Sequence, residues 1–85
     1  MSVPRPFTST ETAFAWLHDM LADEDKGWRV EVSTEWYGSE RLYIIRAYPL
    51  MTQAGWCSGQ DTSLIGALAW LRHAVEDIMR KEPIT

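Results

Sequence analysis

The sequence predicts an α+β fold of order α-β-β-β-α, with a small antiparallel sheet and two helices. Three observations carry that reading. Apolar residues recur at helical spacing near both ends of the chain, residues Trp28 to Tyr37 alternate strictly, and the links between the central segments are too short for a crossover. Strands joined by such links must run antiparallel, which separates this class from doubly wound parallel folds. Eighty-five residues form a single domain, 1–85, in which 1–8, with two prolines, read as an extended N-terminal arm.

The first helix is expected over about 9–24. Thr8-Ser9-Thr10-Glu11 has the form of a capping box, in which Thr8 and Glu11 would each satisfy an orphan amide. Ala13, Phe14, Leu17, Met20 and Leu21 then form one apolar stripe, and Gly27 supplies a stop. From Trp28 the period changes to two. Trp28, Val30, Val32, Thr34 and Trp36 share one face, against Arg29, Glu31, Ser33, Glu35 and Tyr37 on the other, so Trp28 and Trp36 are both expected in the core.

Gly38-Ser39-Glu40 marks a hairpin turn. The second strand, Arg41 to Tyr48, is apolar on both faces, with Leu42, Ile44 and Tyr48 on one and Tyr43, Ile45 and Ala47 on the other. Such a strand is either covered twice or leaves an adhesive face open. Arg46 interrupts the pattern, so a bulge near Ala47 is a further option, and Pro49 ends the pairing. A third strand is expected over Thr52 to Ser58, followed by a turn at Gly59-Gln60-Asp61-Thr62 in which Asp61 or Thr62 caps the last helix. Leu64, Leu68, Leu71, Val75 and Ile78 form the stripe of that helix, Arg80 and Lys81 suit its negative end, and Pro83 stops it.

Composition narrows the function. Five tryptophans, three tyrosines and two phenylalanines are an aromatic excess that can serve either a small core or an interface. A single cysteine, Cys57, allows no internal disulfide, and with neither an apolar leader nor a spanning run the chain is expected in the cytoplasm, away from membranes. The formal charge of −4 and the dispersed bases disfavour nucleic acid.

Cys57, His18, His73 and Asp61 are the raw material for nucleophilic chemistry, but nothing in their spacing joins thiol to base, and the ordinary reading of Cys57 is a small buried hydrophobe. Metal ligands usually come in close pairs, which these residues do not, so no metal, cofactor or enzymatic activity is expected. Asp19, Asp23, Glu24 and Asp25 gather toward the end of the first helix, where the dipole opposes them. They are either a solvated face near Lys26 and Arg29 or an acidic patch offered to a basic partner. Trp16, one position off the helical stripe, Trp70, flanking the last one, and Tyr37, of outward parity, complete the candidate partner-binding set.

The order of elements resembles that of double-stranded-RNA-binding domains, although Asp61-Thr62-Ser63-Leu64-Ile65 stands where those domains carry lysines. Gly59-Gln60-Asp61-Thr62 followed by Ala67-Leu68 is similar to the strand-to-helix junction of HicB-type antitoxins. The tryptophan-rich layout resembles small phage-encoded proteins of the "ABA sandwich" kind, which implies origin on a phage or mobile element more than an activity. The expected function is therefore a small non-enzymatic protein-binding module. Its concrete version is a phage inhibitor or adaptor, such as an anti-CRISPR or other anti-defence protein, that occludes the surface of a host protein. Homodimerisation would use the same features, and a nucleic-acid-associated regulator of the RNA-binding-domain or antitoxin type is the alternative.

Overall fold

The computed structural model describes residues 3–51 and 55–81 and has the expected order: α1 (Thr10–Leu21), β1 (Trp28–Tyr37), β2 (Glu40–Pro49), β3 (Cys57–Asp61) and α2 (Leu64–Lys81). The sheet is antiparallel throughout, in the order β1-β2-β3. Both helices pack on one face of it.

α1 begins one residue later than the capping box implied. Ser9 is the N-cap, its Oγ accepting from the Thr12 amide at 3.1 Å, while the Thr8 hydroxyl meets the Thr12 hydroxyl at 3.2 Å. The helix also ends early, at Leu21, with the Ala22 amide closing on the His18 carbonyl. A tight turn follows: the Asp23 carbonyl accepts from the Lys26 and Gly27 amides, and its side chain accepts from the Asp25 amide at 3.1 Å. An aspartate that offers its own side chain to the backbone two residues on favours a turn over another helical residue.

β1 and β2 form a ten-residue ladder from Trp28↔Pro49 to Tyr37↔Glu40, with unbroken one-to-one register, so no bulge interrupts Ala47. Gly38, at φ +65°, takes the left-handed corner of the two-residue turn, a conformation costly for other residues. The third strand differs from expectation. Thr52–Ala54 lie outside the described residues, Trp56 precedes the strand, and Gly59, Gln60 and Asp61 continue it rather than turning. Ser63, not Asp61 or Thr62, caps α2: its Oγ accepts from the Gly66 amide at 3.0 Å.

The cause of that third strand lies in α2. A Cβ placed on Gly59 would collide with both the Ala67 carbonyl oxygen and the Leu71 nitrogen, so helix backbone rests directly on strand backbone there. Ile45, Ala47, Cys57, Ala67, Leu68 and Leu71 are buried around this contact. The N-terminal arm closes one end of the core. Phe7 is buried, its ring lies 6.0 Å from Trp16 and 3.9 Å from the Arg72 guanidinium, and Arg72 also donates to the Arg5 carbonyl.

Coverage of the sheet is incomplete. Trp28 is buried, but Trp36, on the same face and expected in the core, is 63% exposed, and Val32 is 58% exposed. β3 reaches only as far as Tyr43 on β2, so the β1–β2 hairpin runs on beyond it as a two-stranded ribbon, and the molecule measures 46 × 26 × 25 Å. The apolar stripe of α1 is also only partly used, with Ala13 and Met20 buried but Phe14 and Leu21 nearly half exposed.

Gly59→Ala should destabilise the fold by about 2–3 kcal/mol, because the added methyl meets backbone that cannot rotate away. Gly55→Ala, which meets nothing within 4 Å, is the control. Urea unfolding of both variants checks the contrast.

Candidate partner-binding face

The face of the sheet opposite the helices carries Arg29, Glu31, Ser33, Glu35 and Tyr37 from β1, Leu42, Ile44, Arg46 and Tyr48 from β2, and Ser58 and Gln60 from β3, by strand parity and register. No helix packs on it among the described residues. Its centre is Ile44, 6% exposed although it lies outside the helix-packed core, because it sits between Ser33 and Gln60 in the register. The Arg46 guanidinium reaches across to the Ser33 hydroxyl at 3.4 Å. At one end Tyr48 meets the indole of Trp56, with ring centroids 6.1 Å apart, and Trp56 remains 56% exposed. At the other end Tyr37 is 61% exposed, its hydroxyl donating to the Glu35 carboxylate at 2.8 Å. That hydrogen bond, ahead of the carboxylate's charge, holds the phenol above its ordinary ionisation range. The result is an open strip with aromatic ends, a centre of half-buried Leu42 and buried Ile44, and charge from both β1 and Arg46 of β2.

The other candidate residues are dispersed. Trp16 is half-buried against Phe7 and the core, which makes it a packing residue first. Trp70 is half-buried, edge-on to His73 at 6.2 Å, and walls an open groove of about 500 Å³ beside Ser58, Gly59 and Gln60 at the free side of β3. Asp19 lies in α1, whereas Asp23, Glu24 and Asp25 belong to the turn beyond it. Asp23 is partly buried and held by its turn hydrogen bond, while Asp19, Glu24 and Asp25 are exposed. Trp56, Leu42 and Ile44 were not singled out from the sequence as site residues. The double-sided apolarity of β2 points to Leu42 and Ile44, whereas Trp56 joins them only through its contact with Tyr48.

Chemistry of the nucleophilic kind finds little support. Cys57 is buried on the helix-packed face, and desolvation pushes its thiol above the ordinary range. A thiol so placed is a poor source of thiolate. Among the described residues no group of three or more His, Cys, Asp or Glu side chains could hold a metal ion, and no helix is long and apolar enough to cross a membrane. The N-terminal end of α2 is occupied by the chain's own oxygens. Asp61 Oδ1 accepts from the Thr62 amide at 2.6 Å, and a Cβ on Gly66 would collide with Asp61 Oδ2. A carboxylate at that position competes with any phosphate for the positive end of the helix. No protein-family model, curated protein or solved structure matches the chain.

Two consequences follow for Cys57. The native thiol should react with a disulfide reagent only as fast as the domain opens, and the rate should rise to that of a free thiol on addition of denaturant. Its raised folded pKa means that the unfolded chain releases the thiol proton first. Stability from this group is therefore complete below the ordinary thiol range and falls as pH rises through that range toward the folded value. Cys57→Ser should remove that alkaline component while costing about 1–2 kcal/mol for the buried hydroxyl, as thermal melts across pH would record.

Proposed function

We propose that this protein is a non-enzymatic binding module that acts by occupying a protein partner's surface through the uncovered sheet face. One observation carries the reading: the face opposite the helices joins exposed aromatic ends, Tyr37 and Trp56, through an apolar centre of Leu42, Ile44 and Tyr48. Aromatic anchors around a partly screened apolar centre are the usual composition of a binding hot spot. The net charge of −4 and the carboxylate at the start of α2 favour a protein over a nucleic acid. Asp19, Glu24 and Asp25 add an exposed acidic cluster whose contribution is to encounter rather than to the bound contact. The specific version is a phage or mobile-element inhibitor or adaptor, of the anti-CRISPR or other anti-defence kind. Its support is the likeness of the tryptophan-rich α-β-β-β-α layout to small phage-encoded proteins.

The test begins with affinity capture of a stoichiometric partner from bacterial lysate and proceeds to titration with the purified partner. Trp56→Ala and Tyr37→Ala should each weaken binding by about 2 kcal/mol, near thirtyfold, with melting temperature little changed, because both side chains are mostly exposed. Replacing Asp19, Asp23, Glu24 and Asp25 by Asn or Gln should slow association and flatten its salt dependence while leaving dissociation nearly unchanged. Capture of RNA or DNA with a steep salt dependence, or binding indifferent to both aromatic variants, would overturn the reading.

A further inference from the structure

We propose that β1 pairs antiparallel with β1 of a second copy about a two-fold axis through Val32, forming a continuous six-stranded sheet with all four helices on one face. β1 is the outermost strand of the sheet, ten residues long, with neither proline nor bulge to guard its edge. The apolar face it leaves uncovered is the continuation of the core face: Val32 and Trp36, beyond the reach of the helices. A long strand edge bordered by uncovered apolar side chains is a template for another strand.

The charges on β1 suit a second copy as the occupant and, together with the length of strand that overlaps, favour one register; centring the axis on Val30 would also oppose Arg29 to a carboxylate, the partner's Glu31, but would pair only residues 28–32. With Val32 opposite the partner's Val32, Arg29 stands opposite the partner's Glu35, and the two-fold repeats this pair. Glu31 then faces the partner's Ser33, Val30 the partner's Thr34, and Trp28 the partner's Trp36. Centring the axis on Ser33 instead would oppose Glu31 to the partner's Glu35, and centring it on Glu31 would oppose that carboxylate to itself. Arg29 and Glu35 are both exposed, and the contacts they already hold are surface ones. Arg29 meets Glu31 at 3.2 Å, and Glu35 accepts from the Tyr37 hydroxyl, which leaves the carboxylate room for a second donor.

The helices complement the same arrangement. Phe14 and Leu21 lie roughly 140–160° around α1 from Trp16, the residue that meets the arm on the α2 side. Both therefore lie on the side of α1 away from its contact with the arm, and both are nearly half exposed. α1 packs near the Trp28 end of β1, about 13 Å along the strand from the proposed axis, so the two copies of α1 stay apart. Each ribbon end would lie beside the other copy's Trp28, where Phe14 and Leu21 of the partner subunit can cover the exposed Trp36.

The test uses the full chain and needs no third component, so its result is independent of the binding role proposed above. Wild-type protein should sediment as a dimer in analytical ultracentrifugation. Arg29→Glu and Glu35→Arg, each placing like charges together twice, should each weaken the dimer by about tenfold or more while far-UV circular dichroism stays unchanged. An equimolar mixture of these two variants should recover a dimer containing one copy of each. In that mixed dimer the two introduced charges, at position 29 of one copy and position 35 of the other, oppose each other with unlike sign, and the native Glu35 and Arg29 form the second pair. The double variant should recover the dimer alone. Val32→Cys in a Cys57→Ser background should cross-link to itself on mild oxidation. A wild-type monomer at all concentrations, or a dimer that neither reversal weakens and the mixture does not restore, would overturn the proposal.

Discussion

Backbone contact between α2 and β3 at Gly59 is the constraint from which the rest of the architecture follows. A side chain at that position would hold the helix off the strand; without one, Ala67 and Leu71 settle onto the strand. Ile45, Leu68 and Leu71 are then removed from water almost completely, worth about 2 kcal/mol each. Seating α2 so firmly over β3 and β2 leaves α1 to cover only the beginning of β1. The hairpin is longer than the helix layer above it, and its far half is left open on both faces.

This explains which parts of the fold were legible in the sequence. The β1–β2 hairpin was readable because strict alternation in β1 and a glycine-bearing turn leave few alternatives, although the turn is Gly38-Ser39 alone and Glu40 pairs with Tyr37 as part of β2. Parity correctly placed Trp36 on the core face, but parity says nothing of whether a helix extends far enough to cover it, and that depends on the seating of α2. β3 was misplaced for a related reason. Cys57-Ser58-Gly59-Gln60-Asp61 has little intrinsic strand character, and it becomes a strand because β2 pairs with one side and α2 covers one face. α1 stops short of the expected end at about 24 because the Asp23 side chain and carbonyl both serve the turn.

The candidate site was legible only in outline. Leu42 to Tyr48 read as apolar on both faces, and the helices cover one of them. Which aromatics serve that face could not be read from spacing alone. Trp56 gains its place by meeting Tyr48 across the sheet, a contact between residues in separate segments. Trp16 is half-buried against Phe7, which comes from an arm with no periodic signal. At the start of α2 the strongest local charge is the carboxylate of Asp61, already bonded to the Thr62 amide.

The two faces of the hairpin call for different partners. Val32 and Trp36 continue a core face that the helices do not reach, and β1 carries Arg29 and Glu35 at positions equidistant from Val32. Such an arrangement suits an isologous contact, in which one residue meets a second on the partner and the second meets the first across the axis. The opposite face is less symmetric over its width: its aromatic ends differ, Tyr37 at one and the Tyr48–Trp56 pair at the other, and Arg46 of β2 stands beside the β1 charges. A surface of that kind is better matched to a different molecule than to a copy of itself. Pairing through the β1 edge would leave the outer face open and bring two of them together in one sheet. A partner with two-fold symmetry could then be engaged at both places, and linkage through the sheet would raise the apparent affinity without any new contact.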